Sequence, residues 1–462
     1  MAAVVLAAGI GSRMKSARPK VLHPLAGRPM IAQVMAVVAA LEPARQIAVI
    51  SPGARDEIAA ALPGVTLAVQ DPPQGTGHAV MAAREALDGF AGDVLVLFAD
   101  SPLISVETLE AMLAARNGAD DPAVVVMGFR PADTAEYARL IVGPGGHLDR
   151  IVEHRDVSAD ERTIKLCNSG FMAIDGAVLF ELLDRIDNDN SQGEYYLTDI
   201  VAAARAMGRH CAVVEGAEVE ALGINDRAQL AAAEAVLQHR MRHAAMAAGA
   251  TLRDPDSIFF SYDTMLGRDV TVGPNVVFGP GVVVGEEVTI EAFCHLEGCI
   301  VAAGARIGPF ARLRPEAEIG FGAHIGNFVE VKKASIEPGA KVNHLSYIGD
   351  ARVGEGSNVG AGTITCNYDG FLKHFTDIGR NVFIGSNTAL VAPVRIGDGA
   401  MVGAGSTIAR DVPEDSMALT RAEQTQVDGF APRYRSKKAK QKADQAKAAT
   451  AKKKTRSKAR RA

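Results

Sequence analysis

The chain has 462 residues, 48% of them hydrophobic and 22% charged, with a formal net charge of −5. That is enough apolar material for two or three packed domains, and it excludes a chain that is disordered or fibrous throughout. Cys167, Cys211, Cys294, Cys299 and Cys366 form no Cys-x-x-Cys pair, and no apolar run reaches the roughly 18 residues of a membrane span, so buried thiols in a cytoplasmic protein are expected.

Met1 leads directly into a short continuous apolar run, Ala3 to Ala8, with no basic leader before it. Such a run reads as a buried parallel strand. It empties into Gly9-Ile10-Gly11-Ser12-Arg13-Met14. The apolar runs Ile47–Ile50 and Val94–Phe98 alternate with helical stretches at Ile31–Leu41 and Ala79–Leu87. That alternation predicts a doubly wound, Rossmann-like α/β domain with its ligand at the carboxyl ends of the strands.

A glycine loop in that place presents backbone N–H groups to phosphates. It is not a Walker A loop, because no Gly-Lys-Ser/Thr follows the glycines. A dinucleotide fingerprint is disfavoured too: Met14 stands where the third glycine belongs, and Ser51-Pro52 where an acidic residue should close the second strand. What remains is a glycine loop with Arg13 inside it and Lys20 nine residues after Gly11. Two cations beside a backbone cradle suit a nucleoside triphosphate whose diphosphate must leave.

Residues 226–248 are Ala-rich and free of proline, with Leu230, Leu237 and Met241 along one face and Gly249 as a C-terminal stop. They predict a helical arm between domains, with Met241 and His239 as packing and solvated residues.

From Val272 to Ile408 an aliphatic residue, usually followed by Gly, returns every six positions. The first frame is Val272, Phe278, Val284, Ile290 and Leu296; after one-residue slips and one insertion the last is Ile378, Ile384, Leu390, Ile396, Val402 and Ile408. Twenty-one hexads in all, at three per turn, predict a parallel β-helix of about seven turns. Small residues belong at the corners of such a prism, where a sharp turn leaves little room for a Cβ. The repeat resembles that of the hexapeptide-repeat acyltransferases, and this resemblance implies left-handed winding.

The stretch Leu6-Ala7-Ala8-Gly9 through Arg13-Met14 and on to Pro19-Lys20-Val21-Leu22 resembles the sugar-1-phosphate nucleotidyltransferases. With the hexapeptide half behind it, the chain is similar over residues 3–430 to the bifunctional N-acetylglucosamine-1-phosphate uridyltransferase/glucosamine-1-phosphate acetyltransferase family. The resemblance implies UTP and Mg²⁺ for one reaction and acetyl-CoA for the other. It assigns Leu6, Ala7, Ala8, Gly9, Arg13 and Lys20 to UTP, and Gln70, Gly75 and Thr76 to the uracil segment. Asp100 and Asn225 become the Mg²⁺ ligands; oxygen donors and few protein contacts suit that ion. Ala138, Glu153 and Asn168 fall at the N-acetylglucosamine-1-phosphate site. Phe98-Ala99-Asp100 and Tyr137-Ala138-Arg139 each carry an alanine where the family usually has glycine, so a methyl is expected where the backbone meets ligand.

In the prism, the resemblance assigns Arg314, Lys332, Tyr347, Asn358, Asn367 and Tyr368 to glucosamine-1-phosphate and its acetyl transfer, and Ala361, Ser386, Ala404 and Arg421 to acetyl-CoA. Moving an acetyl group to an amine needs a base to take the amine proton, and His is poised for that near neutral pH. His344 is the candidate. Glu330 is expected to orient the sugar or that histidine. Glu316 stands beside the proposed phosphate clamp where the family usually has glycine. A homotrimer, with acetyl sites between subunits, is also implied, as is supply of a precursor for peptidoglycan and lipopolysaccharide.

Residues 433–462 carry fourteen Lys/Arg against one Asp, leaving −18 for the rest of the chain. This low-complexity tail has no apolar periodicity, so disorder is expected, with weak attraction to nucleic acid or an anionic surface as its one possible business. The boundaries read as 1–225 nucleotidyltransferase, 226–249 arm, 250–430 β-helix and 431–462 tail. Two other readings compete: a nucleotidyltransferase whose β-helix only oligomerises or regulates, and a non-catalytic assembly protein that retains nucleotide binding. Loss of His344 and Lys332 would mark the first, and loss of Lys20, Asp100 or Asn225 the second; all are present.

Overall fold

The computed structural model describes residues 1–9, 11–134, 137–190 and 192–459, so Ile10 of the glycine loop lies outside the described residues. The amino-terminal strands are β1 Ala2–Ala7, β2 Pro24–Leu25, β3 Arg28–Pro29, β4 Arg45–Ile50, β5 Thr66–Val69, β6 Asp93–Phe98, β7 Val124–Phe129, β8 Arg139–Val142, β9 Leu148–Val152, β10 Cys167–Asp175 and β11 Cys211–Glu215. The helices are α1 Met30–Ala39, α2 Arg55–Ala61, α3 Thr76–Met81, α4 Val106–Arg116, α5 Leu179–Leu183 and α6 Ile200–Ala206.

The large sheet runs β11-β7-β10-β6-β1-β4-β5, with β8 and β9 as a side hairpin on β10. All of its main pairings are parallel except those of β10, which is antiparallel to β6 and β7. β1 is buried along its whole length, as a strand covered on both faces must be. Its alternate side chains enter opposite cores: Ala3 and Val5 meet Ile31 and Val34 of α1, while Val4 and Leu6 meet the layer of Val80, Leu182 and Ile200. The chain leaves β1 toward β4 on one side and returns to β6 on the other. This reversal opens a crevice beyond Ala7 and Phe98.

Helix α7, Arg227–Ala247, is the predicted arm. Asp226 caps it by accepting from Gln229 N–H at 2.8 Å, and Gly249 follows its end at φ 102°. Met241 packs on the prism core and His239 is exposed.

Beyond the arm, two- to seven-residue strands recur from Thr251 to Ala418. Register stacks Val272, Ile290, Ile307, Ile325, Val342, Val359, Ile384 and Val402 into one interior column, every member at 2% exposure or less. The six-residue beat is therefore the inward-pointing position of each strand. Where the beat breaks, the fold substitutes. Val301 fills the interior at the first slip, and Thr365 does so at the insertion. Thr365 is fully buried because its hydroxyl takes the Gly349 N–H at 2.8 Å and lies 3.1 Å from the Gly349 carbonyl.

One corner column is left-handed in backbone and carries side chains outward. Phe293, Phe310 and Phe328 all have φ near 60°, stack at 4.9 and 5.1 Å, and are about half exposed.

The tail departs from the disordered reading: Phe430–Ala459 is a 30-residue helix, α8, whose side chains are exposed through Ala451. Lys, Arg, Ala and Gln are all strong helix formers, and no Gly or Pro interrupts them after Pro432. Among the described side chains no apolar face forms, and none of those through Ala451 is buried. All five cysteines are free thiols. Burial pushes Cys211 and Cys299 up to about 12, far from reactive thiolates. Among the described residues no helix is long and apolar enough to cross a membrane.

Candidate active sites

The crevice beyond β1 and β6 gathers most of the residues expected for nucleotidyl transfer. Leu6, Ala7, Ala8, Gly9, Lys20, Gln70, Gly75, Thr76 and Asp100 line one cavity of about 230 Å³. A neighbouring hollow of about 530 Å³ shares Asp100 and adds Arg13 and Asn225. A third, of about 590 Å³, shares Thr76 and adds Glu153. Together they make one path across the strand ends.

The Lys20 side chain is nearly buried, and its ammonium forms an ion pair with Asp100 and a 3.1 Å hydrogen bond to Asn225 Oδ1. A cation thus already sits between the carboxylate and the amide oxygen expected to bind metal. Two converging oxygens of this kind fit a small divalent ion that keeps waters and phosphate oxygens as its other ligands. Backbone ties hold the trio: Ile224 N–H donates to the Asp100 carbonyl at 2.7 Å, and Asn225 N–H to Gln229 Oε1 at 2.7 Å.

Gln70 lines the cavity, but its Nε2 is used internally, donating to the Gly75 carbonyl at 2.9 Å. Gly75 stands at φ 103°, and a Cβ there would strike the Tyr195 backbone. Bare backbone is what lets the 74–76 segment pass there. Thr76 Oγ1 accepts from Leu197 N–H at 3.1 Å.

Glu153 accepts from Thr198 Oγ1 at 3.0 Å, and burial raises its carboxyl above the usual range. Asp199 is pushed up to about 6, first by burial and then by the charge of Glu153. Asn168 Oδ1 accepts from Gly170 N–H at 2.9 Å, and its own N–H bonds the Ala138 carbonyl. Ala138 is buried, with its carbonyl so engaged. Ala99 differs from expectation: its methyl is wholly inside the core and its N–H bonds the Leu6 carbonyl at 3.0 Å.

On the prism, His344 ends the strand Lys341–His344 and pairs in register with Asn327 of the preceding coil. His344 Nδ1 lies 2.6 Å from Asn327 Oδ1. An amide oxygen only accepts, so Nδ1 is the donor in this pair, and Nε2 is the ring nitrogen that Asn327 does not engage. Corner bonds continue the column coil by coil: Gly362 N–H to the His344 carbonyl, Asn387 N–H to Ala361, and Gly405 N–H to Ser386. Arg421 Nη1 closes it, donating to the Ala404 carbonyl at 3.2 Å. His344, Ala361, Ser386, Ala404 and Arg421 therefore form a track along one edge. Asn358 pairs with Lys341 and Phe383 on the same face.

Arg314 and Lys332 lie on adjacent coils of the neighbouring sheet, with Tyr347 in register with Glu330. Glu330 does not reach the histidine; it accepts from Arg314 at 2.8 Å and holds that guanidinium in its charged form. Glu316 is exposed at φ 65° and lies 4.0 Å from Lys333. That left-handed backbone is the condition a glycine there would suit. Asn367 is buried, donating to Asp350, with its Nδ2 3.5 Å from the Tyr347 hydroxyl. Tyr368 is largely exposed and donates to the Gly370 carbonyl.

Three residues escaped the sequence reading: Asn327, Asp350 and Lys373. Asn327 and Asp350 each stand seventeen residues, one coil, before the residue they bond. That interval is the signal that would have found them. Lys373 is brought beside Lys332 by the insertion, and the neighbouring ammonium lowers its pKa.

Residues 3–156 match the model of the MobA-like NTP transferase domain, and residues 263–298 and 375–410 that of the bacterial transferase hexapeptide repeat. A nucleotidyltransferase domain followed by hexapeptide repeats defines a two-domain transferase. Three relatives are each named bifunctional protein GlmU. The one from Paramagnetospirillum magneticum is 59% identical over 96% of this chain and 98% of its own. Those from Rhodospirillum rubrum and Sphingopyxis alaskensis are 61% and 54% identical, over 94% and 96% of this chain and 97% and 98% of theirs. The chain belongs to the bifunctional GlmU family.

Proposed function

We propose that the chain makes UDP-N-acetylglucosamine by two transfers at separate sites, acetyl transfer on the β-helix (250–430) and uridylyl transfer on the amino-terminal domain (1–225), joined by the arm (226–249). In the first, His344 Nε2 takes a proton from the amine of glucosamine-1-phosphate as the nitrogen attacks the acetyl-CoA carbonyl carbon. The C–S bond breaks, the acetyl group stays on nitrogen, and coenzyme A leaves as a thiolate that takes the proton back from His344 to become the thiol. Asn327 orients the imidazole, while Arg314, Lys332, Lys373 and Tyr347 surround the sugar phosphate with positive charge and a hydroxyl. Asn358, Asn367 and Tyr368 complete the sugar side; Ala361, Ser386, Ala404 and Arg421 carry the thioester's long arm.

In the second, a phosphate oxygen of N-acetylglucosamine-1-phosphate attacks the α-phosphorus of UTP and pyrophosphate leaves. The glycine loop, Arg13 and Lys20 position the triphosphate and neutralise its charge; Gln70, Gly75 and Thr76 frame the base; Ala138, Glu153 and Asn168 hold the sugar. Mg²⁺ held by Asp100 and Asn225 supplies Lewis-acid neutralisation of phosphate oxygens when bound. The product is the sugar-nucleotide precursor of peptidoglycan and lipopolysaccharide.

A cytoplasmic homotrimer fits the exposed Phe293–Phe310–Phe328 ridge, which one chain leaves uncovered. The basic tail (431–462) adds a weak, salt-sensitive attraction to polyanions.

The observation that carries this reading is that one chain assembles both the Lys20–Asp100–Asn225 group at the strand ends and the His344–Asn327 pair on the prism. The test is a paired assay on one preparation: thiol release from acetyl-CoA with glucosamine-1-phosphate, and Mg²⁺-dependent pyrophosphate release from UTP with N-acetylglucosamine-1-phosphate. His344→Ala silences only the first and Asp100→Ala only the second. A wild-type protein without thiol release makes the β-helix a scaffold and overturns the two-site reading.

A further inference from the structure

We infer that the arm helix and the first coil of the prism are the template that holds the nucleotidyl-transfer cation site in register, with Glu234 and Gln238 as positioning residues for that reaction. The inference rests on the uridylyl-transfer reading above and deepens it.

Lys20, Asp100 and Asn225 come from three separate segments, and each segment is tied to α7. Lys20 opens the turn that runs into the β2–β3 hairpin. At the hairpin tip, Ala26 N–H donates to Glu234 Oε2 at 2.8 Å. Asp100 is three residues before Leu103, whose carbonyl accepts from Arg240 at 2.7 Å. Asn225 directly precedes the cap of α7, and Arg227 in its first turn donates to the Met14 carbonyl and meets His23 Nδ1 at 3.3 Å. Beneath these bonds Leu25, Met30, Leu103, Ile224 and Ala233 form one small core shared by all three segments and the helix.

The helix is anchored in turn to the prism. Gln238 is 2% exposed and makes a reciprocal pair with the Phe260 peptide, donating to its carbonyl at 2.7 Å and accepting its N–H at 2.8 Å. The same Nε2 donates to Glu234 Oε1 at 2.8 Å. A continuous hydrogen-bonded chain therefore runs from the prism through Gln238 and Glu234 to the hairpin that follows Lys20. The hairpin also touches the prism directly: the Ala26 carbonyl accepts from Tyr262 N–H at 2.8 Å, and the Arg28 guanidinium lies 3.7 Å over the Tyr262 ring.

A buried amide so fully satisfied specifies geometry, because any shift leaves a polar group unpaired. The group whose geometry most needs fixing is the three-segment cation site. The Ile224–Asp100 backbone bond joins two of those segments, and the arm is bonded to the chain around all three.

The experiment compares Gln238→Leu and Glu234→Ala with wild type in the full-length protein, reading the Mg²⁺ concentration that half-activates pyrophosphate release. The expected result is a rise of about fivefold, the equivalent of one lost hydrogen bond. Thiol release on the same preparation should be unchanged, and Glu234→Gln, which can still accept from Ala26, should fall in between. Wild-type half-activation in the variants overturns the inference. So does a parallel fall of both activities with the thermal midpoint, which would mark a merely structural contact. If Gln238→Leu does not fold, the part-exposed Glu234→Gln decides by the same reading. A wild-type protein lacking pyrophosphate release would instead sink the functional reading itself.

Discussion

Asn327 Oδ1 lies 2.6 Å from His344 Nδ1, one coil earlier in the prism and on the same edge. The bond fixes which imidazole nitrogen bears the proton. Asn327 follows Gly326, where a Cβ would collide with the Asn343 carbonyl, so the two coils run close together just before this pair. The histidine proposed as base is therefore oriented by its neighbour as well as by its own position.

Asn327→Ala leaves His344 free to rotate and to adopt either tautomer. Thiol release should fall about 10- to 100-fold, mostly in kcat, with the glucosamine-1-phosphate KM within about twofold of wild type. Asn327→Asp keeps an acceptor beside Nδ1 and adds a negative charge, which favours the imidazolium. Its thiol-release profile should move to higher pH. An Asn327→Ala protein with wild-type kcat would remove Asn327 from the mechanism.

Lys20 occupies the gap between Asp100 and Asn225, and this gives its removal two opposite consequences. Lys20→Met takes away the charge proposed to face the triphosphate, so pyrophosphate release should drop about 100-fold or more. The same change frees two oxygens from an internal cation. Nucleotide-free protein should then bind Mn²⁺ about tenfold more tightly, counted from the free-ion signal in electron paramagnetic resonance. Weaker Mn²⁺ binding in the variant would show that Lys20 does not compete with metal.

The fold was legible because the two periods of the chain are buried periods. The run at Ala3–Ala8 became a strand covered on both faces, and the six-residue beat became a column of interior aliphatics. Thr365 was missed because its burial depends on a hydroxyl bond to the Gly349 backbone, which no hydrophobic count registers. Asn327 and Glu330 show the limit in the sites. Their partners lie one coil away, and a one-residue slip changes which side chains share an edge. Ala99 shows the same for ligand contact: its place in the motif suggested the cleft, while strand alternation sends its methyl into the core. In the tail, local propensity won over the low-complexity reading, since a helix of Lys, Arg and Ala needs no packed face to be written down in backbone bonds.

Asp199 titrates where a pH study can see it. Its carboxyl is pushed from 3.8 up to about 6 by burial and by the charge of Glu153. A folded pKa above the unfolded one means the native state holds the extra proton between about pH 4 and 6. Stability contributed by this group therefore falls as pH rises through that window and is level above it. Asp199→Asn removes the titration, so its thermal midpoint minus that of wild type should grow from pH 4 to pH 6 and then stay constant. A difference independent of pH would place the Asp199 carboxyl in ordinary solvent.

The α8 helix gives a prediction that depends on salt. Its side chains are exposed through Ala451, and it opposes a net +13 tail to a body of −18. A chain ending at Gly429 should keep both activities within about twofold of wild type, because no proposed site residue lies beyond Arg421. Retention on a phosphate-bearing resin or on duplex DNA should be lost in the shortened chain. In the full chain it should weaken steeply between about 50 and 200 mM salt, as counterion release requires. If vesicles with anionic headgroups retain the full chain and DNA does not, the partner is a surface. If neither does, the tail's charge meets only solvent.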